Sequence, residues 1–515
     1  MRLRRAWPPL LVAVAAIGLF LAYLRMARAV TVNSDGASNA LQAWDLFHGN
    51  VLLRGWTLSD VSFYPTELVQ YGLIQLFTGV TTDQIHIAAA LSWTLVVLLA
   101  GRLAWERRLD STLHGWLAAA IAVAILLVPA PGVGYQTLLS SPNHTGSAVP
   151  LLIAWLLIDR ARDRVWLPFA VAAVLAWGAM GDPLITFVGA APLVVVGAYR
   201  ALRDRSWRGT DARLAAAGLA SIVASHTALW LIERLGGFRA PKPPIQLSPI
   251  EQWPDRARMV ARMAGILFGV TRPGVQPPWV ETLLQVVRVP GLLLAVAALI
   301  LTVVAVLRGT ADRVDAILAV AIVADLTAEI VSTLPIDLLA TREVAPVLPM
   351  AAVLAARVSV RLLRAGRIVP VARALTAAVL AVLLVSLVAY VPPRAEPVEG
   401  QEAADWLESR GLRYGLGSYW VSNNITVGTA RQVTVVPTLS GNGRIVGMCW
   451  QTHTDMYDPA THDARFVLLE KQRPMYGTPA DVLAQYGTPV TRRDFDLYVI
   501  FVYDRNLLQG FATTC

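Results

Sequence analysis

Lysine and cysteine are nearly missing from this chain. Of its 515 residues only Lys242 and Lys471 are lysines, and only Cys449 and Cys515 are cysteines. Charged residues of every kind amount to 15%. These scarcities exclude several classes of function. The sequence has no Cys/His spacing of a zinc site, no His-Glu-x-x-His pair, and no glycine-rich loop ending in a lysine that could cradle a nucleotide. The net charge of +9 is carried almost wholly by arginine, and many of these arginines lie in short loops between apolar runs. Charge placed that way orients a chain in a membrane and meets anionic headgroups. No nucleic-acid partner is expected.

Apolar surface, by contrast, is abundant: 56% of residues are hydrophobic and the mean hydropathy is +0.54. Uninterrupted runs recur that reach the roughly 20 residues a helix needs to cross a bilayer. They lack the two-residue alternation of barrel strands, so helices are the remaining way to satisfy the backbone in lipid. The sequence therefore predicts a polytopic α-helical membrane protein of about eleven transmembrane helices. These fall near 7–27, 85–104, 113–130, 146–159, 166–180, 183–199, 212–232, 286–307, 315–334, 344–359 and 371–391. With that count every arginine-rich connection falls on one side: Arg2/Arg4/Arg5, Arg102/Arg107/Arg108, Arg160/Arg162/Arg164, Arg200/Arg203/Arg205/Arg208, Arg308/Arg313 and Arg357/Arg361/Arg364/Arg367. The positive-inside rule then places the N-terminus in the cytoplasm and the C-terminus outside a plasma membrane. The first span reads as a signal-anchor, because no small-residue cleavage site follows it.

This topology gathers the polar chemistry outside. Two domains are expected. Residues 1–391 form the transmembrane part, with an outer loop 28–84 in which Asn39–Leu46 and Thr66–Phe77 have the spacing of interfacial helices. Pro392-Pro393 ends the last span, and 392–515 has the composition of a small extracytoplasmic α/β domain. In that domain Gln401–Arg410 reads as a helix, and Val433–Pro437, Phe466–Leu469 and Leu497–Val502 read as strands. Its two cysteines would lie in an oxidising compartment, so a Cys449–Cys515 disulfide is expected. The loop 233–285 carries a proline-rich stretch from Pro241 and then a basic amphipathic segment around Arg256, Arg258 and Arg262.

Asp35 is the leading candidate for chemistry. It stands just beyond the first apolar run, in Asn33-Ser-Asp35-Gly36, where it could serve as a fixed base or merely cap a helix. The polar stretch that follows supplies substrate-binding candidates: Asp45, Trp56, Asp60 and Glu67. His144 in Ser140-Ser-Pro-Asn-His144-Thr could bind a metal, a sugar or a phosphate, or sit in a solvated turn. Asp182 lies in a tight Gly-Asp-Pro turn, able to face a site or to cap the next helix. In Thr341-Arg342-Glu343, Arg342 could snorkel, pair with Glu343 or clamp a lipid phosphate. Charged groups within spans are costly and functional by default, which singles out Asp325, Glu329 and His226. Asp494-Phe-Asp496 matches a nucleotide-sugar pattern in only three residues.

The layout resembles the GT-C superfamily of membrane glycosyltransferases. The resemblance covers the whole architecture: many spans, an early carboxylate in the first outer loop, interfacial helices there, and a soluble C-terminal domain. It implies a catalytic role for Asp35, contact of Arg342 with a lipid phosphate, and similarity of Gly415–Asn423 to tails of bacterial relatives. It also implies a polyprenyl-phosphate sugar donor and an extracytoplasmic glycan, lipid or protein acceptor, with cell-wall material as an obvious choice. The Asp-Glu pair of several members is absent, since Gly36 follows Asp35. The cofactor is therefore undefined, and a divalent cation stays open. Two other classes fit the composition: a transporter or flippase of a lipid-linked substrate, which would need matched halves around midplane charges, and a non-catalytic scaffold of the same fold.

Overall fold

The computed structural model describes residues 3–106, 112–161, 164–242, 246–271, 278–364, 369–389 and 398–514. The first helices are α1 Leu3–Ala27, α2 Ser34–Phe47, α3 Glu67–Thr78, α4 Asp83–Ala104, α5 Thr112–Leu126 and α6 Val133–Leu138. Next come α7 Ala148–Ala161, α8 Leu167–Gly181, α9 Ala191–Arg203, α10 Thr210–Arg234, α11 Trp253–Leu267 and α12 Pro278–Leu307. The last are α13 Arg313–Val331, α14 Val347–Arg364, α15 Val369–Ala389, α16 Gln401–Ser409, α17 Tyr419–Gly428 and α18 Pro479–Tyr486. Each of the eleven predicted spans coincides with one of these helices. Five of them are long and apolar enough to cross a membrane by length and composition alone: those at Leu10–Ala27, Asp83–Ala104, Thr210–Arg234, Trp279–Leu307 and Val369–Ala389.

The chain divides into two compact units. A helical unit comprises Met1–Ala27, Ala89–Ala228 and Pro244–Pro392. Within it α5 and α14 meet through small side chains, Ala118 and Ala122 against Ala356 and Val360, with Leu117 and Ile121 completing the cluster. Alanine at these positions lets helix axes approach closely, the usual means of packing in lipid, where burial of apolar surface supplies little net drive. Gly115 serves the same end, since a Cβ there would meet the Trp105 ring at 2.2 Å.

The sequence groups Arg357 and Arg361 with the arginines of the connection that follows the span near 344–359. They belong instead to α14, which continues to Arg364. The Arg357 side chain is fully buried, and four carboxylates surround it. Its guanidinium reaches Asp315 at 2.7 Å, Asp159 at 3.1 Å, Asp312 at 3.2 Å and Glu106 at 3.7 Å. Arg361 adds bonds to Asp315 and Glu106. Asp312 also caps α13 by accepting from the Val314 N–H at 3.0 Å. The cluster ties together α7, the cap and first turn of α13, and α14. Such a buried cation is tolerable only because several carboxylates satisfy it at once.

The second unit comprises Arg28–Ala88, Leu229–Pro243 and Pro393–Cys515, so the first outer loop folds with the tail. The strands are β1 Trp56–Thr57, β2 Tyr414–Ser418, β3 Thr434–Gly441, β4 Arg444–Gly447, β5 Thr452–His453, β6 Phe466–Glu470, β7 Thr491–Asp494 and β8 Tyr498–Val502. Six form one mixed sheet in the order β4-β3-β2-β6-β8-β7, with β2 parallel to both β3 and β6. Both faces of β6 are covered, which is why Phe466-Val-Leu-Leu reads as an unbroken apolar run. Phe466 and Leu468 pack with Val421, Ile425 and Leu407 on one side, and Val467 and Leu469 with Leu416 and Phe501 on the other. Gly415 is required beneath Phe466, because a Cβ there would meet the ring at 2.5 Å. The small pair β1–β5 joins Trp56 to His453 and Thr57 to Thr452.

Candidate active site

In the sheet unit, α2 begins with an Asn33 cap whose side chain accepts from the Gly36 N–H at 2.9 Å. The capping role weighed for Asp35 thus falls to its neighbour, and Asp35 sits in the first turn, half-buried. Its Oδ1 accepts a hydrogen bond from the Tyr419 hydroxyl. Tyr419 opens α17 and is itself buried, and its phenol is pushed well above the ordinary range by burial and by the Asp35 carboxylate. It therefore remains a proton donor throughout the working pH range. The placement is fixed by a row of small polar residues along α2. Ser34 Oγ donates to the Tyr419 carbonyl at 2.6 Å, Ser38 Oγ to the Gln451 carbonyl at 2.8 Å, and Gln42 Nε2 to Gln451 Oε1 at 2.5 Å. Positions 34, 38 and 42 repeat every four residues, so they share one helix face. Trp420 donates to the Tyr476 hydroxyl at 3.0 Å, and Tyr476 lies 6.0 Å from the Tyr419 ring, giving Asp35 an aromatic surround from the tail.

The other candidates of the first outer loop take separate positions. Asp45, near the far end of α2, accepts from the Trp56 indole N–H at 2.8 Å. Trp56 is buried and packs edge-on to His453. Glu67 is buried at the start of α3, where it accepts from the Thr66 hydroxyl. Asp60 is exposed.

A second cluster lies in the helical unit. His144 is buried, with Nδ1 2.7 Å from Asp182 Oδ2 and Nε2 2.8 Å from Glu343 Oε2. Both ring nitrogens face carboxylates, so the ring donates on both sides only as an imidazolium. Burial alone would lower its pKa, but Asp182 and Glu343 raise it well above the usual imidazole value. Burial would likewise raise Glu343, yet the imidazolium and Arg342 hold it at about 2. Asp182 takes the capping role weighed for it and holds His144 and Ser147 as well. Oδ1 caps the following turn by accepting from the Leu184 N–H at 2.9 Å, while Oδ2 accepts from His144 and from Ser147. Asn143 and Thr145 anchor the histidine loop on the Thr137 carbonyl at 3.1 and 2.8 Å. Arg342 ends a short 3-10 turn, Leu338–Arg342, pairs with Glu343 at 3.2 Å and is 53% exposed, so much of its guanidinium faces outward. On α13, Asp325 and Glu329 are both buried, and among the described residues Asp325 Oδ2 and Glu329 Oε2 have no hydrogen-bond partner.

Three other sequence candidates are accounted for locally. His226 is exposed and bonds the Ile222 carbonyl of its own helix at 2.9 Å. Asp494 is paired to Arg492 at 2.8 and 3.1 Å on an exposed edge strand. Cys449 is disulfide-bonded, and Cys515 lies outside the described residues. Among the described residues no three His, Cys, Asp or Glu side chains converge closely enough to hold a metal ion. Sequence reasoning did not find Tyr419 or Gln451 as partners of α2. The only signal was that the run Gly415–Asn423, which contains Tyr419, resembled tails of bacterial relatives.

No family model and no curated protein matches this sequence. Solved structures do. ArnT from Cupriavidus metallidurans bound to undecaprenyl phosphate aligns over 96% of this chain and 97% of its own, at 14% identity and a TM-score of 0.57. The same protein in its apo state aligns over 98% and 99%, at 14% identity and a TM-score of 0.54. Identity this low speaks to the fold, and the near-complete coverage of both chains makes the likeness one of whole architecture. The chain shares its fold, from end to end, with ArnT.

Proposed function

We propose that this protein is an integral-membrane glycosyltransferase that moves a sugar from a polyprenyl-phosphate carrier to an extracytoplasmic acceptor. The observation that carries the reading is the whole-chain likeness to a protein crystallised with undecaprenyl phosphate, together with Asp35 held at the first turn of α2 by Tyr419. In this reading the N-terminus is cytoplasmic, and the sheet unit, with its disulfide, is extracytoplasmic. An activated sugar must then arrive on a lipid, since no nucleotide is available outside.

Asp35 acts as general base, taking the proton of an acceptor hydroxyl as that oxygen attacks the anomeric carbon with inversion. The carbon–oxygen bond to the carrier breaks, and its electron pair leaves on the phosphate. Tyr419 donates to Oδ1 and fixes the carboxylate's orientation. Arg342 stabilises the departing phosphate charge with its fork of N–H groups. The imidazolium of His144, between Asp182 and Glu343, sets the position of Glu343 and so of Arg342. The test is transfer from a panel of radiolabelled polyprenyl-phosphate sugars to mixed cell-wall acceptors, with purified protein and Asp35→Asn side by side. Transfer lost in the variant supports the reading. Folded wild-type protein that transfers from no donor overturns it.

A further inference from the structure

The sheet unit holds a cavity of about 590 Å³ that the chemistry above does not use. Its floor is built from backbone. The Arg239 N–H donates to the Trp56 carbonyl at 3.0 Å, the Leu58 N–H to the Arg239 carbonyl at 2.8 Å, and the Phe238 N–H to the Leu52 carbonyl at 2.9 Å. Glycines keep this floor low: a Cβ on Gly55 would meet the His453 ring at 2.6 Å, and one on Gly237 the Leu52 carbonyl at 2.8 Å. The walls are aromatic and charged. Trp56 forms one side, and the last turn of α10 contributes Trp230, Glu233 and Arg234, with Arg239 on the segment bridged to Thr57. The Trp230 side chain is 55% exposed and carries the Arg234 guanidinium 5.5 Å from its ring centroid. Among the described residues the Glu233 carboxylate and the Arg239 guanidinium have no hydrogen-bond or ion-pair partner.

An exposed indole face, a carboxylate and a guanidinium around a rigid backbone floor suit a saccharide. Pyranose C–H groups pack on the indole, while hydroxyls donate to the carboxylate and accept from the guanidinium. Glu233 beside Arg234 and Arg239 gives the lining charge of both signs, which a neutral, hydroxyl-rich ligand meets with donors and acceptors alike, whereas an apolar chain would strand the charges. The distance to the proposed base limits the ligand further. Trp56 is tied to Asp45, ten residues along α2 from Asp35, which is about 15 Å of helix rise. A monosaccharide does not span that length, and an extended chain does. We propose that this cavity is a binding subsite for an extended, uncharged oligosaccharide, with Trp230 as its platform and Glu233 and Arg239 as its polar contacts. Its identification as the acceptor subsite rests on the transferase reading above.

The experiment uses the full-length protein in nanodiscs and saturation-transfer NMR with α-mannotetraose, β-galactotetraose and α-arabinofuranotetraose, without donor. At least one is expected to bind, about tenfold more weakly or worse to Trp230→Ala, with Glu233→Gln also weakened. Melting temperatures equal to wild type would show that both variants fold. With donor present, Trp230→Ala is expected to raise KM for that tetrasaccharide by the same factor, with a smaller change in kcat. No binding of any of the three, or binding equal in wild type and Trp230→Ala, overturns the proposal whatever Asp35→Asn does to donor turnover. Conversely, binding that depends on Trp230 in a protein that transfers no sugar leaves the saccharide subsite standing and removes only its role as acceptor site.

Discussion

Replacing His144 with glutamine should destabilise the helical unit more than any other single polar change at its candidate site. The imidazolium is buried and stands 2.7 Å from Asp182 and 2.8 Å from Glu343, whose side chains are 3% and 24% exposed. Removing one partner of a buried pair leaves the other charge uncompensated and costs about 3–5 kcal/mol. Taking roughly 2 °C per kcal/mol for a unit of this size, Tm should fall by about 6–10 °C. Neutralising the partner as well relieves part of that cost. His144→Gln/Glu343→Gln should therefore be more stable than the sum of the two single losses by about 1–3 kcal/mol.

The pH dependence has a definite sign. The His144 pKa is raised in the folded protein, so its contribution is complete below the ordinary imidazole value and is lost as pH rises through the higher folded value. The Glu343 pKa is depressed to about 2, so its contribution is complete above the ordinary carboxyl value and is lost as pH falls towards 2. Wild-type stability should be level between these limits, and His144→Gln should lack the alkaline decline. Thermal unfolding in one detergent at one scan rate, across pH, measures both effects. Single and double losses that simply add, with no difference in the alkaline limb, would refute the ion-pair reasoning.

Further outcomes follow from other contacts. Tyr419→Phe removes a hydrogen bond to a carboxylate, worth about 1.5–3 kcal/mol, so kcat should drop roughly 10–100-fold with donor KM little changed; an unchanged kcat would separate Tyr419 from the chemistry. Arg357→Leu removes the one cation that touches all four of Asp159, Asp312, Asp315 and Glu106, leaving Arg361 and Arg160 at the edge of the cluster, and the protein should fail to accumulate in membranes. Arg357→Lys should rescue it poorly, because a single ammonium cannot reproduce a planar fork that touches several carboxylates; expression and gel filtration of both variants decide this. Phe466→Ala opens a cavity under the central strand and should cost about 3–5 kcal/mol, read as a loss of cooperative unfolding in the sheet unit by near-ultraviolet circular dichroism.

Much of this was legible in the sequence, for identifiable reasons. A long apolar run declares itself as a helix, so each of the eleven predicted segments overlaps a helix, with starts displaced by eight residues at Ala191–Arg203 and Pro278–Leu307, and five of these helices are long and apolar enough to cross a membrane. The tail strands were visible because Phe466–Leu469 and Tyr498–Phe501 are buried on both faces. Asp35 and Asp182 stood out as carboxylates at places where a chain turns. The partners were not legible. Tyr419 bonds a residue 384 positions away, and Gln451 one 413 positions from Ser38; no local periodicity encodes contacts of that range. Arg357 was misread because an arginine near a span end normally sits in water, and only the convergence of four carboxylates from three segments reveals a buried one. His144 and Glu343 were separate suspects whose pairing needed the fold. Asp494 matched a short motif by chance, its neighbour Arg492 having already taken both oxygens.

The central claim is that Asp35 does chemistry and not merely structure, and one measurement bears on it most directly: donor binding and single-turnover release of polyprenyl phosphate, compared between wild type and Asp35→Asn. The account predicts equal donor affinity, equal melting temperature and a turnover slower by about 10²–10⁴-fold in the variant. Turnover within a few-fold of wild type at equal affinity would contradict it.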